Sequence, residues 1–130
     1  MTGFTKKLQD QDDFISSKNG AKAVAIRRTE QKLGLCFAKE YKDYTQQLGI
    51  AVANGHEFTG VVEMPRLSVA QVTVEERKRN PNIPESLYVV ERMGIDGIII
   101  WQDQNGCVYM TIRDGQPEKI AQSLAEYLEI

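Results

Sequence analysis

The chain has 130 residues, of which 42% are hydrophobic and 26% charged, with a formal net charge of -2. This length and composition suit one folded domain, residues 1–130, with its own core, and exclude a disordered chain. The weak acidity offers no basic footprint for direct nucleic-acid binding, and no apolar run approaches the roughly 20 residues that cross a bilayer.

The first ten residues carry charge before any apolar run, so no secretory leader is read there and a cytoplasmic location is expected. Phe4, Leu8 and Ile15 can share a helical face, which predicts one or two short helices before Asn19-Gly20. Ala21 to Leu33 is rich in helix formers, and Gly34 can supply the left-handed residue that ends a helix. Phe37, Tyr41, Tyr44 and Leu48 then form a second helical stripe, stopped by Gly49. The two helices should form a hairpin.

The period then changes to alternation. Asn54-Gly55 fits a two-residue turn that pairs Ala53 with His56 and Ala51 with Phe58. Ser68 to Val72 reads as a strand, and Thr73-Val-Glu-Glu76 as the capping box of a short helix to Arg79. Three strands follow: Leu87 to Arg92, Gly97 to Asp103 and Cys107 to Arg113. A second two-residue turn at Asn105-Gly106 would place Trp101 opposite Met110 and Ile99 opposite Ile112, on the face expected to meet the helices. Pro117 reads as the start of a final helix carrying Ile120, Leu124, Tyr127 and Leu128. The predicted class is α+β: a helical hairpin, an antiparallel sheet covered mainly on one side, and a C-terminal helix packed on it.

Reactive constellations are sparse. His56-Glu57 begins like a zinc-protease motif, but Gly60 stands where the second histidine belongs and His56 is the only histidine. A zinc site or a cysteine nucleophile would need Cys36 or Cys107 brought to His56 by folding; two buried, reduced thiols are the ordinary reading. Asp96 and Asp103 read as turn acids beside Gly97 and Gly106, and Gly94-Ile-Asp-Gly97 lacks the third glycine of a dinucleotide fingerprint. No catalytic residue, metal ligand or cofactor is expected.

Ile26-Arg-Arg-Thr-Glu30-Gln-Lys-Leu33-Gly34, followed by Phe37-Ala-Lys-Glu-Tyr41-Lys-Asp-Tyr44, resembles the N-terminal hairpin of the SUKH superfamily, named for a yeast cell-wall regulator and bacterial immunity proteins. Asn54-Gly-His-Glu57-Phe-Thr-Gly60, Pro84-Glu-Ser-Leu-Tyr88, Asp103-Gln-Asn-Gly106-Cys-Val108-Tyr109 and Ile120-Ala-Gln-Ser-Leu124 are similar to its later segments, in order. Phe37-Ala38 departs from the Leu-Pro pair of many members. The resemblance implies an intracellular immunity protein that binds and neutralises a cognate polymorphic toxin domain, often a nuclease, without catalysis of its own. The alternative is a regulatory or scaffold module that binds a cellular protein or small ligand. The expected binding residues lie on the mixed sheet face, Tyr88, Gln102, Tyr109 and Arg113, with the loops around Asn54 and Asp96 beside them. Oligomeric state is left open.

Overall fold

A computed structural model describes residues 3–17 and 19–130. Phe4 and Leu8 bury one face of a short helix, α1 (Gly3–Gln9). Ile15 does not continue that face. It sits 67% exposed on a two-residue strand, β1 (Ile15–Ser16), because the chain turns away through Asp13. The Asp13 carboxylate accepts the backbone N–H groups of Asn54 and Gly55 at 2.6 and 2.8 Å.

The helical hairpin follows as expected: α2 (Ala23–Leu33) ends at Gly34 with φ 69°, and α3 (Lys39–Leu48) ends at Gly49. On α3, Tyr41, Tyr44 and Leu48 point inward. The strands β2 (Ala51–Ala53) and β3 (His56–Phe58) join β1 in a three-stranded sheet with the expected register. Asn54 and Gly55 both take positive φ, at 50° and 77°, as a two-residue hairpin of this kind requires.

The next segment differs from its sequence reading. Helix α4 (Val69–Arg79) begins one turn earlier, after Ser68, whose hydroxyl accepts the Gln71 N–H. Ser68-x-x-Gln71 is itself a capping-box spacing, and it prevails because Val69, Val72, Thr73 and Glu76 then share one buried face. Thr73 and Glu76 therefore lie inside the helix. The Thr73 hydroxyl accepts the Val89 N–H, and Glu76 accepts from Arg92.

Strands β4 (Tyr88–Arg92), β5 (Ile98–Gln102), β6 (Val108–Ile112) and β7 (Glu118–Ala121) form an antiparallel sheet in that order. Strand β7 replaces the first half of the expected final helix, and Pro117 precedes a strand rather than opening a helix. The helix that remains, α5 (Leu124–Tyr127), starts at Ser123, which accepts the Glu126 N–H while the Glu126 carboxylate accepts the Gln122 N–H. The second hairpin is also corrected. Trp101 pairs with Tyr109 and Ile100 with Met110, one residue out of the expected register. Asp103 is the cause: its carboxylate accepts the N–H groups of Asn105 and Cys107, and its carbonyl accepts from Gly106. The loop is thus a three-residue turn with Gly106 alone at positive φ, 97°.

Both faces of the four-stranded sheet are covered, not one. Tyr88, Val90, Ile100 and Val108 face the main core with Tyr41, Tyr44 and Leu124. Val89, Ile99 and Trp101 form a smaller cluster with Val72 of α4 and with Ile83 and Leu87 of the connecting turn. Helix α4 and that turn cross the face that was expected to carry the main helical layer.

Trp101 is 1% exposed, and its indole N–H donates to the Thr111 hydroxyl at 3.0 Å. Trp101→Ala should cost about 3–5 kcal/mol in urea unfolding. Native tryptophan emission should be blue and shielded from iodide; a red, freely quenched signal would refute this packing.

Candidate functional site

Two of the four sequence candidates are enclosed. Tyr88 and Gln102 are both fully buried, so neither is the surface anchor the alternation suggested. They form a polar relay. The Ala38 N–H, at the start of α3, donates to the Tyr88 hydroxyl at 2.9 Å, and that hydroxyl donates to Gln102 Oε1 at 2.6 Å. Gln102 Nε2 donates to the Glu40 carboxylate at 2.7 Å and to the Gly106 carbonyl at 3.1 Å. The same Glu40 oxygen accepts the Leu124 N–H of α5 at 2.8 Å. Burial pushes Tyr88 well above the ordinary phenol range. Burial also raises the Glu40 carboxyl, outweighing the bonds from Leu124 and Gln102 that favour its ionised form.

A second buried polar group joins residues that the sequence reading treated separately. Glu91 accepts from the Tyr127 hydroxyl and, at 3.0 Å, from the Glu57 N–H, while His56 Nδ1 lies 2.9 Å from it. His56 is buried beside a carboxylate, and its Nε2 has no partner among the described residues. Neither cysteine approaches it as a ligand: Cys36 is exposed, contrary to the buried-thiol reading, and Cys107 is half-buried. Among the described residues, no three His, Cys, Asp or Glu side chains come together as a metal-binding group. No described helix is long and apolar enough to cross a membrane.

The other two candidates reach the surface at opposite ends of β6. Tyr109 is half-buried against the smaller core and donates to the Asp103 carboxylate at 3.1 Å. Burial and the adjacent Asp103 charge push its hydroxyl up to about 12. Arg113 is exposed and forms no ion pair among the described residues. Its backbone is held at φ 58° because its N–H donates to Gly97 across the end of the sheet, at 2.9 Å. The same end of the sheet carries three large apolar side chains that water reaches, Met93, Ile95 and Ile112, at 39%, 60% and 51% exposure. Met93 and Ile95 lie on the β4–β5 turn that also carries Asp96, and Ile112 pairs through Ile98 with the strand leaving that turn. Arg113, Asp114 and Arg79 line a groove of their own with Glu76, Gly97 and Ile99, and exposed apolar side chains near such charged ones are the composition of a protein-contact surface. The sequence reading named the Asp96 loop but missed these three residues. The available signal was Ile95, an apolar residue between Gly94 and Asp96 in a turn.

A SUKH family model, described as SMI1-KNR4 cell-wall, matches residues 24–128. No curated protein matches the chain.

The relay makes two predictions. Gln102→Leu keeps the volume but orphans the Tyr88 hydroxyl, the Gly106 carbonyl and one Glu40 bond, and should lower stability in urea by at least about 2 kcal/mol. Glu40 has a raised carboxyl, so the native chain keeps a proton that the unfolded chain has released between the ordinary glutamate range and the raised value. Stability from this group therefore falls as pH rises through that window. Glu40→Gln, whose carbonyl can accept both bonds, should flatten that slope; an unchanged pH profile of unfolding would refute it.

Proposed function

We propose a function from the premise that this chain belongs to the SUKH (SMI1-KNR4) family: it is an immunity protein that binds a cognate polymorphic toxin domain in the cytoplasm and blocks it by occupation, without chemistry of its own. Family membership supports a protein-binding role. The observation that carries the choice of surface is the exposure of Met93, Ile95 and Ile112 at the end of the sheet that also bears Arg113. Exposed apolar area desolvates readily against a partner, and a guanidinium with no ion pair among the described residues can bind a carboxylate or a carbonyl there. Tyr109 belongs to the reading as a second contact at the far end of β6. A nuclease or other nucleic-acid-targeting toxin is the partner class that the family suggests.

The buried polar groups fit the same reading as structural supports. His56, Glu91 and Tyr127 are buried and bonded to one another, as side chains that support a fold are. A binding protein needs a surface of roughly 800 Å² per partner and a rigid body behind it, not a cleft.

The test is co-expression with the toxin domain encoded beside this chain in a cell that the toxin kills. The native chain should rescue growth and co-purify with the toxin. Arg113→Ala combined with Ile95→Ser should weaken the complex by at least about 2 kcal/mol, roughly thirtyfold in Kd, with the thermal midpoint unchanged. A complex indifferent to these changes would move the site to another face. Absence of any protection would favour the regulatory or scaffold module instead.

A further inference from the structure

The net charge of -2 hides a strong segregation. Residues 22–43 carry six cations, Lys22, Arg27, Arg28, Lys32, Lys39 and Lys42, against Glu30, Glu40 and Asp43, a local balance of +3. The rest of the chain holds ten cations and fifteen anions, a balance of -5. Folding sharpens the difference. All six cations are exposed. The three acids are engaged: Glu40 turns inward to Gln102 and Leu124, Asp43 accepts the Thr5 hydroxyl at 2.6 Å, and Glu30 accepts the Phe37 N–H at 2.8 Å. Of the cations only Lys42 has an ion pair among the described residues, with Glu30 at a loose 3.5 Å.

Four of the cations lie on the outer side of the hairpin. Ile26 and Leu33 are the buried residues of α2, so Arg27, Arg28 and Lys32 lie on its outward side, with Val24, 56% exposed, one turn before Arg28. Arg27 of α2 and Lys42 of α3 line opposite walls of one groove of about 180 Å³, with Glu30 between them.

We infer that this outer face of the α2–α3 hairpin is an electrostatic docking surface for an acidic patch on the partner protein, separate from the apolar end of the sheet. The inference rests on the immunity reading and adds the sign of the charge on the toxin surface that the chain meets. Five cations with no ion pair among the described residues give the hairpin a positive potential, and such a field speeds encounter more than it tightens the final complex. A protein is the occupant that this face fits. The hairpin's aromatic rings, Phe37, Tyr41 and Tyr44, are buried, so there is no platform on which bases could stack. The remaining -5 repels an extended polyanion, whereas an acidic patch of protein size meets only the local field. Val24 is the single large apolar side chain exposed on α2, too little to insert into a membrane surface.

The experiment measures association and dissociation rates of the full chain with the toxin domain encoded beside it, at about 50 and 500 mM NaCl. Three variants accompany the native chain: R27E/R28E/K32E, its neutral counterpart R27Q/R28Q/K32Q, and K6E/K119E as a control elsewhere. The on-rate of the native chain should fall about tenfold or more with salt. Charge reversal should lower the low-salt on-rate by a similar factor and remove most of its salt dependence, the neutral variant should fall between, and the control should match the native chain. A complex that forms with an on-rate indifferent to the α2 variants overturns the inference and leaves the immunity reading intact. No complex with the native chain overturns both. Tight binding of a twenty-nucleotide DNA strand (about that length), abolished by the same reversal, would also overturn it by assigning the face to nucleic acid.

Discussion

Thr59 is where the helical hairpin and the two sheets are tied together. It follows the last residue of β3 and uses each of its polar groups inward. Its N–H donates to Val90 and its hydroxyl to Val89, both on β4, each at 2.9 Å. Its hydroxyl and carbonyl take the two tyrosine hydroxyls of α3, Tyr41 at 2.9 Å and Tyr44 at 2.7 Å. A buried polar group costs free energy unless it is paired, so these bonds fix the orientation of α3 over both sheets as well as its distance from them. The next residue, Gly60, passes so close to the end of α3 that a Cβ there would lie 1.9 Å from the Gly49 carbonyl oxygen. No side chain fits between them, and the register of Thr59 is set by that contact.

The same logic holds the C-terminal end of the chain. Helix α5 is four residues long, far below the length at which a helix sustains itself in water. Leu124, Tyr127 and Leu128 pack it into the core, and three polar attachments from distant segments complete it. Leu124 N–H binds Glu40, the Tyr127 hydroxyl binds Glu91, and Asn54 Nδ2 donates to the Leu128 carbonyl at 2.7 Å. The two buried carboxylates are thus placed where the chain ends would otherwise separate. Their elements also carry the surfaces assigned above: Glu40 belongs to the basic hairpin, and Glu91 to the strand that leads into the Met93–Gly97 turn.

How much of this was legible in the sequence depended on whether the deciding interaction was local. The α2–α3 hairpin was, because caps and apolar stripes act within a few residues. The two Asn-Gly pairs show the boundary. At Asn54-Gly55 the dipeptide alone sets the turn, whereas at Asn105-Gly106 the carboxylate two residues earlier, Asp103, adds a residue to the loop and shifts every pair by one. Capping signatures were ambiguous for a related reason: Ser68-x-x-Gln71 and Thr73-x-x-Glu76 both fit the pattern, and only burial of Thr73 against β4 selects the first. Ser123-x-x-Glu126 was a readable start for α5, but the helical stripe from Ile120 masked it, and the pairing of β7 with β6 that prevails is a long-range fact. Gln102 was misplaced because a polar residue in an alternating strand reads as solvent-facing; its partners, Tyr88, Glu40 and Gly106, come from three separate elements.

The distribution of tyrosine explains why Tyr88 does not reach the surface on which it was expected. Tyrosine is a strong interface anchor, so Tyr88 and Tyr109 were natural choices. Yet Tyr41, Tyr44, Tyr88 and Tyr127 are all buried with their hydroxyls bonded inside the protein, and Tyr109 is half-buried. Tyrosine here joins layers, because a core built from two sheets and short helices needs side chains that are apolar along their length and polar at the tip. The side chains that the core leaves out, and to which the proposed reading gives recognition, are Met93, Ile95 and Ile112 at the sheet end, Arg113 just after β6, and the arginines and lysines of α2 and α3. Of these only Met93 touches one of the networks, its sulfur accepting from the Tyr127 hydroxyl at 3.7 Å. The others can be exchanged without orphaning a buried group of the Thr59, Glu40 or Glu91 networks, so the fold imposes little on their identity.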